Sequence, residues 1–171
     1  MNIDTIYIWT DGSCNNKTKR NGAYGIVMKY KEHEKLVSGG QFINSTSARC
    51  ELHGALNALR LVIDKTKRVE LYCDNQYVTK SVSENWLIKW ESELWLTGQG
   101  EDNLKYRTNH DLLKQLLAEI RKFPAGFVKF IHLKGHNGDI NNEIADRLAA
   151  EGGKSEKIID DSYSCDFHKN S

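Results

Sequence analysis

Four acidic residues stand where acids seldom stand, inside or at the ends of apolar runs. Asp11 closes the strand-like run IYIWTD and shares a side with Tyr7 and Trp9 by strand alternation. Asp74 closes VELYCD on the same side as Tyr72. Glu51 falls in what reads as the first turn of a helix, RCELHGAL, just ahead of its apolar stripe. Asp146 falls mid-helix in NEIADRLA. Any one of them alone reads as a helix-end charge or a surface acid. Brought together, they would repel one another and resist ionisation unless cations neutralised them. Hard divalent ions taking oxygen ligands suit such a set, and Mg²⁺ suits it better than zinc, which prefers His and Cys. Two such ions about 4 Å apart can hold both the attacking and the leaving oxygen of a phosphodiester. No Ser-His-Asp arrangement and no GxxxxGK[ST] loop competes for the chemistry.

The elements that must position these acids are legible from pattern. Ile3 to Asp11, Ala23 to Tyr30 and Leu36 to Ile43 read as an antiparallel meander separated by turn signals. Leu52, Leu56, Leu59 and Ile63 recur at helical spacing behind a cap at Thr46 or Ser47. Val69 to Cys73 reads as a strand, and a helix carrying Leu112 to Ile120 ends before Pro124. Phe127 to Leu133 is a further strand, and Asn141 to Ala150 a last helix, stopped by Gly152 and Gly153. Glu84 to Asn109, with three of the four tryptophans, is expected to form two short helices and a loop. The whole reads as an α/β chain with a mixed sheet and helices packed on it.

Composition bounds the rest. The 171 residues suffice for one domain with its own core. Lys and Arg number 24 against 23 Asp and Glu, so the body is not generally basic, although Lys17 to Lys35 holds six basic residues against Glu32 and Glu34. Four widely spaced cysteines with no CxxC pair speak against structural zinc and disulfides. The start reads as a strand rather than a leader, and no apolar run is long enough to span a bilayer. A cytoplasmic monomer is the expectation.

Five segments, TDGSC at 10–14, Tyr24-Gly25, RCEL at 49–52, CDNQYV at 73–78 and GHNGDINNEIADRLA at 135–149, resemble the ordered motifs of the ribonuclease H type 1 family. The resemblance runs to about Gly153, so residues 1–153 are expected to form the catalytic domain and 154–171 a short tail. It implies a ribonuclease H-like fold with a five-stranded mixed sheet, the meander followed by parallel strands. It also implies hydrolysis of the RNA strand of an RNA–DNA hybrid with two Mg²⁺ ions, Mn²⁺ being a possible substitute, leaving 5′-phosphate and 3′-hydroxyl ends. Asp11 would then contact both ions, Glu51 and Asp74 would complete one site, and Asp146 the other. His136 matches a loop histidine that assists proton transfer or product departure, a task an imidazole of near-neutral pKa suits. Gly12, Ser13 and Gln76 match positions along the RNA strand. Thr46 and Asn109 match a pocket for a DNA phosphate, Ser47 an adjoining polar contact, and Trp86 an aromatic beside a DNA sugar.

Three departures from the family pattern follow. Ala48 stands where an amide side chain is usual, the NNKTKRNG loop shifts the match at Asn15 and Asn16, and Glu84 to Asp111 counts three basic residues against six acids. Two other readings compete. A related nuclease of the same fold, such as a 3′–5′ exonuclease, is disfavoured because Asp11 is followed by Gly12-Ser13 rather than by x-Glu. A hybrid-binding module without activity is disfavoured because all four acids and His136 are present.

Overall fold

In the computed structural model the described residues are 4–15, 17, 20–134, 138–152 and 158–166. Three long strands, β1 (Thr5–Asn15), β2 (Arg20–Tyr30) and β3 (His33–Ile43), form the expected meander. Helix α1 (Ser47–Leu61) leads to β4 (Arg68–Cys73), followed by α2 (Gln76–Ser83) and α3 (Trp86–Ser92). A small hairpin of β5 (Leu96–Thr97) and β6 (Lys105–Tyr106) precedes α4 (His110–Ile120), β7 (Val128–His132), α5 (Ile140–Gly152) and β8 (Ile159–Asp160). The main sheet has the order β7-β4-β1-β2-β3-β8. β1 pairs antiparallel with β2 and parallel with β4, and β4 pairs parallel with β7. The five expected strands are therefore present. A sixth, β8, comes from the tail and runs parallel to β3 through Phe42–Ile159 and Ile43–Asp160.

Alternation along β1 divides the molecule. Ile6 and Ile8 enter a large core with Leu52, Leu56 and Leu59 of α1 and Leu112, Leu113, Leu116 and Leu117 of α4. Trp9 turns to the other face, where with Val27 and Ala145 it forms a smaller core under α5. Small residues, Ala145, Ala149 and Gly152, make up the buried stripe of α5, because the helix lies directly on β2. At Gly25 a Cβ would come 2.0 Å from Ala145 O, so only glycine permits that approach.

Several boundaries differ from the pattern reading. Thr46 is the N-cap of α1, its Oγ1 accepting from Arg49 N at 3.3 Å, so Glu51 stands in the second turn rather than the first. Ile63 lies beyond the helix and is 95% exposed, since Val62 already leaves helical geometry. The helix α2 was not anticipated from the sequence. Its Val, Thr and Ser content is poor in helix propensity, and the Asn75 side chain, capping Val78 N at 3.2 Å, starts it. From Glu84 to Asn109 there are two short helices, α3 and a 3-10 helix at Glu101–Asn103, but the stretch expected as loop carries the β5–β6 hairpin.

Candidate active site

The site forms where the two kinds of pairing along β1 diverge. Parallel pairing with β4 stops at Thr10–Cys73, while antiparallel pairing with β2 continues through Asp11–Gly25 to Asn15–Arg20. Asp11 is thus inside β1 rather than at its end, at the point where the sheet opens beside β4. Asp74 emerges just past β4, before the Asn75 cap of α2. The carboxyl ends of strands at such a divide are where open sheets hold ligands. Asp146 arrives from the seventh residue of α5 on the same face as Asp11, and their side chains are in hydrogen-bond contact. Glu51 comes from the opposite face. It reaches round β1 because residue 12 is glycine: a Cβ there would lie 2.3 Å from Glu51 N.

These four acids line a cleft of about 520 Å³, together with Gly12, Leu133, Lys134, Gly138, Asp139, Asn142 and Glu143. Asp11 is 8% exposed and Glu51 5%, whereas Asp74 is half-buried and Asp146 exposed. Burial, followed by the charges of Asp74 and Asp146, pushes Asp11 up to about 7, against a partial offset from the Gly12 N–H. Burial and then the charges of Asp11 and Asp74 hold Glu51 well above the usual carboxylate range. The cluster is short of positive charge, and Lys134 is the one cation lining it among the described residues.

The donor chemistry favours a hard cation. Glu51, Cys73 and Asp74 each offer a ligand atom within 4.8 Å of the other two. Burial, however, holds the Cys73 thiol well above its ordinary pKa, and Cys73 Sγ stands 3.6 Å from Glu51 Oε2 as a donor. The thiol is engaged with Glu51, and the four acids make carboxylate oxygen the dominant donor of the cleft. Carboxylate oxygens are the donors that hard divalent cations such as Mg²⁺ or Mn²⁺ prefer.

The remaining sequence candidates are dispersed. Gly12 and Ser13 lie in β1, with Gly12 on the cleft wall. Gln76 opens α2 and is exposed. Thr46 and Ser47 are half-buried at the start of α1, away from the cleft. Trp86 is half-buried against Trp90, centroids 5.6 Å apart. Asn109 is 3% exposed, its side chain bonded to the Tyr77 hydroxyl and its N–H donating to the Tyr163 hydroxyl. His136 lies outside the described residues. Sequence reasoning missed Lys134, Asp139, Asn142 and Glu143 as cleft residues. The signal was available: Asn142 and Glu143 stand four and three positions before Asp146 and share its helix face.

A sequence profile of the RNase H family matches residues 4–154, and the chain belongs to that family. Among curated relatives, a ribonuclease H of Orientia tsutsugamushi is 39% identical over 147 residues, covering 86% of this chain and 81% of that one. A ribonuclease H of Desulforamulus reducens is 36% identical over 157 residues, 92% of each chain. Among solved structures, LC9-RNase H1, described as a type 1 RNase H with the type 2 active-site motif, superposes with a TM-score of 0.69 at 19% identity. The match covers 90% of this chain and 74% of that one. RNase H1 of Halobacterium salinarum superposes at 0.58 with 20% identity, over 86% of this chain and 96% of that one. At such identities the structural likeness speaks for the fold.

Proposed function

We propose that this protein is an endoribonuclease that hydrolyses the RNA strand of RNA–DNA hybrids, with two Mg²⁺ ions or Mn²⁺ in their place. The observation that carries the reading is the convergence of Asp11, Glu51, Asp74 and Asp146 on one cleft, with Lys134 as the lining cation among the described residues. Bound there, the cations would supply Lewis acidity toward the phosphate and lower the pKa of the attacking water. The protein's own part is to hold the acids rigidly. Asp11 stands between the others, in contact with Asp146 and facing the charges of Glu51 and Asp74, so it is the residue to share between two ions. Glu51 and Asp74 would complete one site and Asp146 the other. Cleavage leaves a 5′-phosphate and a 3′-hydroxyl.

Gly12, Ser13 and Gln76 are assigned to the RNA strand, where 2′-hydroxyls distinguish it from DNA. Thr46, Ser47 and Trp86 are assigned to the DNA strand. Asn109 would reach a DNA phosphate only where the Tyr163 hydroxyl gives up its N–H. His136 is assigned to proton transfer or product release, and His136→Ala is expected to slow turnover while hybrid affinity holds. A cytoplasmic setting and a monomeric state are part of the proposal; among the described residues no helix is long and apolar enough to cross a membrane.

The test is incubation with Mg²⁺, and separately Mn²⁺, of labelled RNA–DNA hybrid, double-stranded RNA and double-stranded DNA. Cleavage confined to the RNA of the hybrid is the expected result. Binding without cleavage would make the protein a recognition module, and cleavage of double-stranded DNA would make it another nuclease of this fold.

A further inference from the structure

Beyond the last helix the chain comes back across the molecule. After β8 has paired with the end of β3, Asp161 turns inward and is 7% exposed. Its Oδ2 accepts from Ser45 Oγ at 2.7 Å and from Arg49 Nε at 2.9 Å. Its Oδ1 accepts from Arg49 Nη2 at 2.8 Å and lies 2.9 Å from His53 Nε2. Arg49, 2% exposed, turns its other edge to Asp111 at 2.9 and 2.8 Å, and the Tyr163 ring lies 4.1 Å from the guanidinium. The Cys165 carbonyl then accepts from Tyr106 N at 2.8 Å, so the strap is tied at both ends.

Ser45, Arg49 and His53 recur every four positions and form one stripe along α1 and its approach. Glu51 sits between Arg49 and His53, about 200° round the helix from Arg49. On that other side the Gly12 backbone abuts Glu51 N, and the Gly12 N–H donates to the Glu51 carboxylate. The turn that carries Glu51 is thus gripped from two sides, by Gly12 in front and by Asp161 behind. A buried ion pair contributes little net stability compared with well-packed apolar residues. What a bidentate fork does contribute is direction, because two parallel hydrogen bonds fix the guanidinium plane. Here Asp161 ties three residues of one stripe, Ser45, Arg49 and His53, and holding a helix at several points along one side restrains its rotation about its axis. That rotation sets where Glu51 points.

We propose that Asp161 is a positioning residue for Glu51, acting through Arg49 and His53, so that the C-terminal segment completes the metal site without touching it. The proposal rests on the reading of Glu51 as a metal ligand. Its test compares Asp161→Asn and Arg49→Lys with the wild-type full-length chain. Arg49→Lys keeps the charge and loses the fork, and serves if Asp161→Asn does not fold. Three quantities are measured below the melting temperature of each variant: the Mg²⁺ concentration for half-maximal turnover, the Mg²⁺ affinity of the free protein by calorimetry, and hybrid affinity in EDTA. Both variants should raise the Mg²⁺ requirement by about tenfold or more, the scale for losing groups that orient a ligand, and leave hybrid affinity unchanged. Lowered melting temperatures with an unaltered Mg²⁺ requirement and affinity would overturn the proposal and leave Asp161 a stabilising residue. Glu51→Gln is the control. If it too leaves the Mg²⁺ requirement unaltered, the assignment of Glu51 fails, and the proposal fails with it.

Discussion

Asp11 carries a conflict that the rest of the site does not relieve. In the folded protein it titrates near 7 against an ordinary 3.8, so between those pH values the native state holds a proton that the unfolded chain has released. The contribution of Asp11 to stability without metal falls as pH rises through that window and levels off above 7, on the order of 4 kcal/mol for a shift of that size. Glu51 adds a further loss of the same sign. Asp11→Asn removes the penalty. The variant is expected to melt above the wild type at pH 8 in EDTA, to lose that advantage near pH 4, and to have no more than a few per cent of wild-type turnover with Mg²⁺. Equal melting temperatures at pH 8 would show that the four acids do not oppose one another. Each of the four was visible in the sequence as an acid inside an apolar run. Their contacts were not, because strand alternation says which side a residue faces but not how far a helix on the opposite side can reach. Gly12 decides that reach, and glycines in TDGSC-like runs have no periodicity to betray their neighbours.

The elements were legible wherever a long hydrophobic period governed them. The meander, the leucine stripes of α1 and α4 and the parallel strands β4 and β7 all obey it. Where a cap or a close approach decides, pattern fails: α2 begins on the Asn75 cap, and α5 is placed by small residues rather than by Ile144 and Leu148 alone. The position of α5 gives a test at this scale. A methyl at Gly25 would meet two backbone atoms of α5, Ala145 O at 2.0 Å and Ala149 N at 2.8 Å, so the helix itself must move. Displacement of catalytic geometry by about 1 Å can cost a factor on the order of 10² in rate. Gly25→Ala should therefore lower turnover to that extent while the circular dichroism spectrum stays native. Near-normal turnover would mean that Asp146 is held independently of the helix axis.

For the molecule as a whole, a net charge of +1 leaves nucleic-acid affinity to local patches. The acid surplus counted from Glu84 to Asp111 is largely internal. Glu84 pairs with Lys80, Glu91 with Arg121, Glu93 with Arg107 and Asp111 with Arg49. Lysines placed at Glu91 and Glu93 would strand Arg121 and Arg107 as well as add charge, a coupling no composition count reveals. The Lys17 to Lys35 stretch is the better target. Each phosphate contact adds about 0.9 to the slope of log affinity against log salt, so neutralising Lys17, Lys19 and Arg20 should flatten the slope for hybrids by up to about 2.7. An unaltered slope would place the hybrid elsewhere on the surface.

The strap from β8 to Cys165 also bears on the order in which the chain folds. Its bonds from Asp161 to Ser45, Arg49 and His53 close separations of 116, 112 and 108 residues. Contacts across such distances are entropically the most demanding to form, and chains rich in them fold slowly. The meander and α1, by contrast, close through neighbouring segments. Refolding should therefore proceed in two stages, with the sheet and its leucine core established before the strap docks. Recovery of Mg²⁺-dependent cleavage would lag behind recovery of tryptophan fluorescence, and the part of the interval that Asp161→Asn lengthens would measure the docking of a single carboxylate.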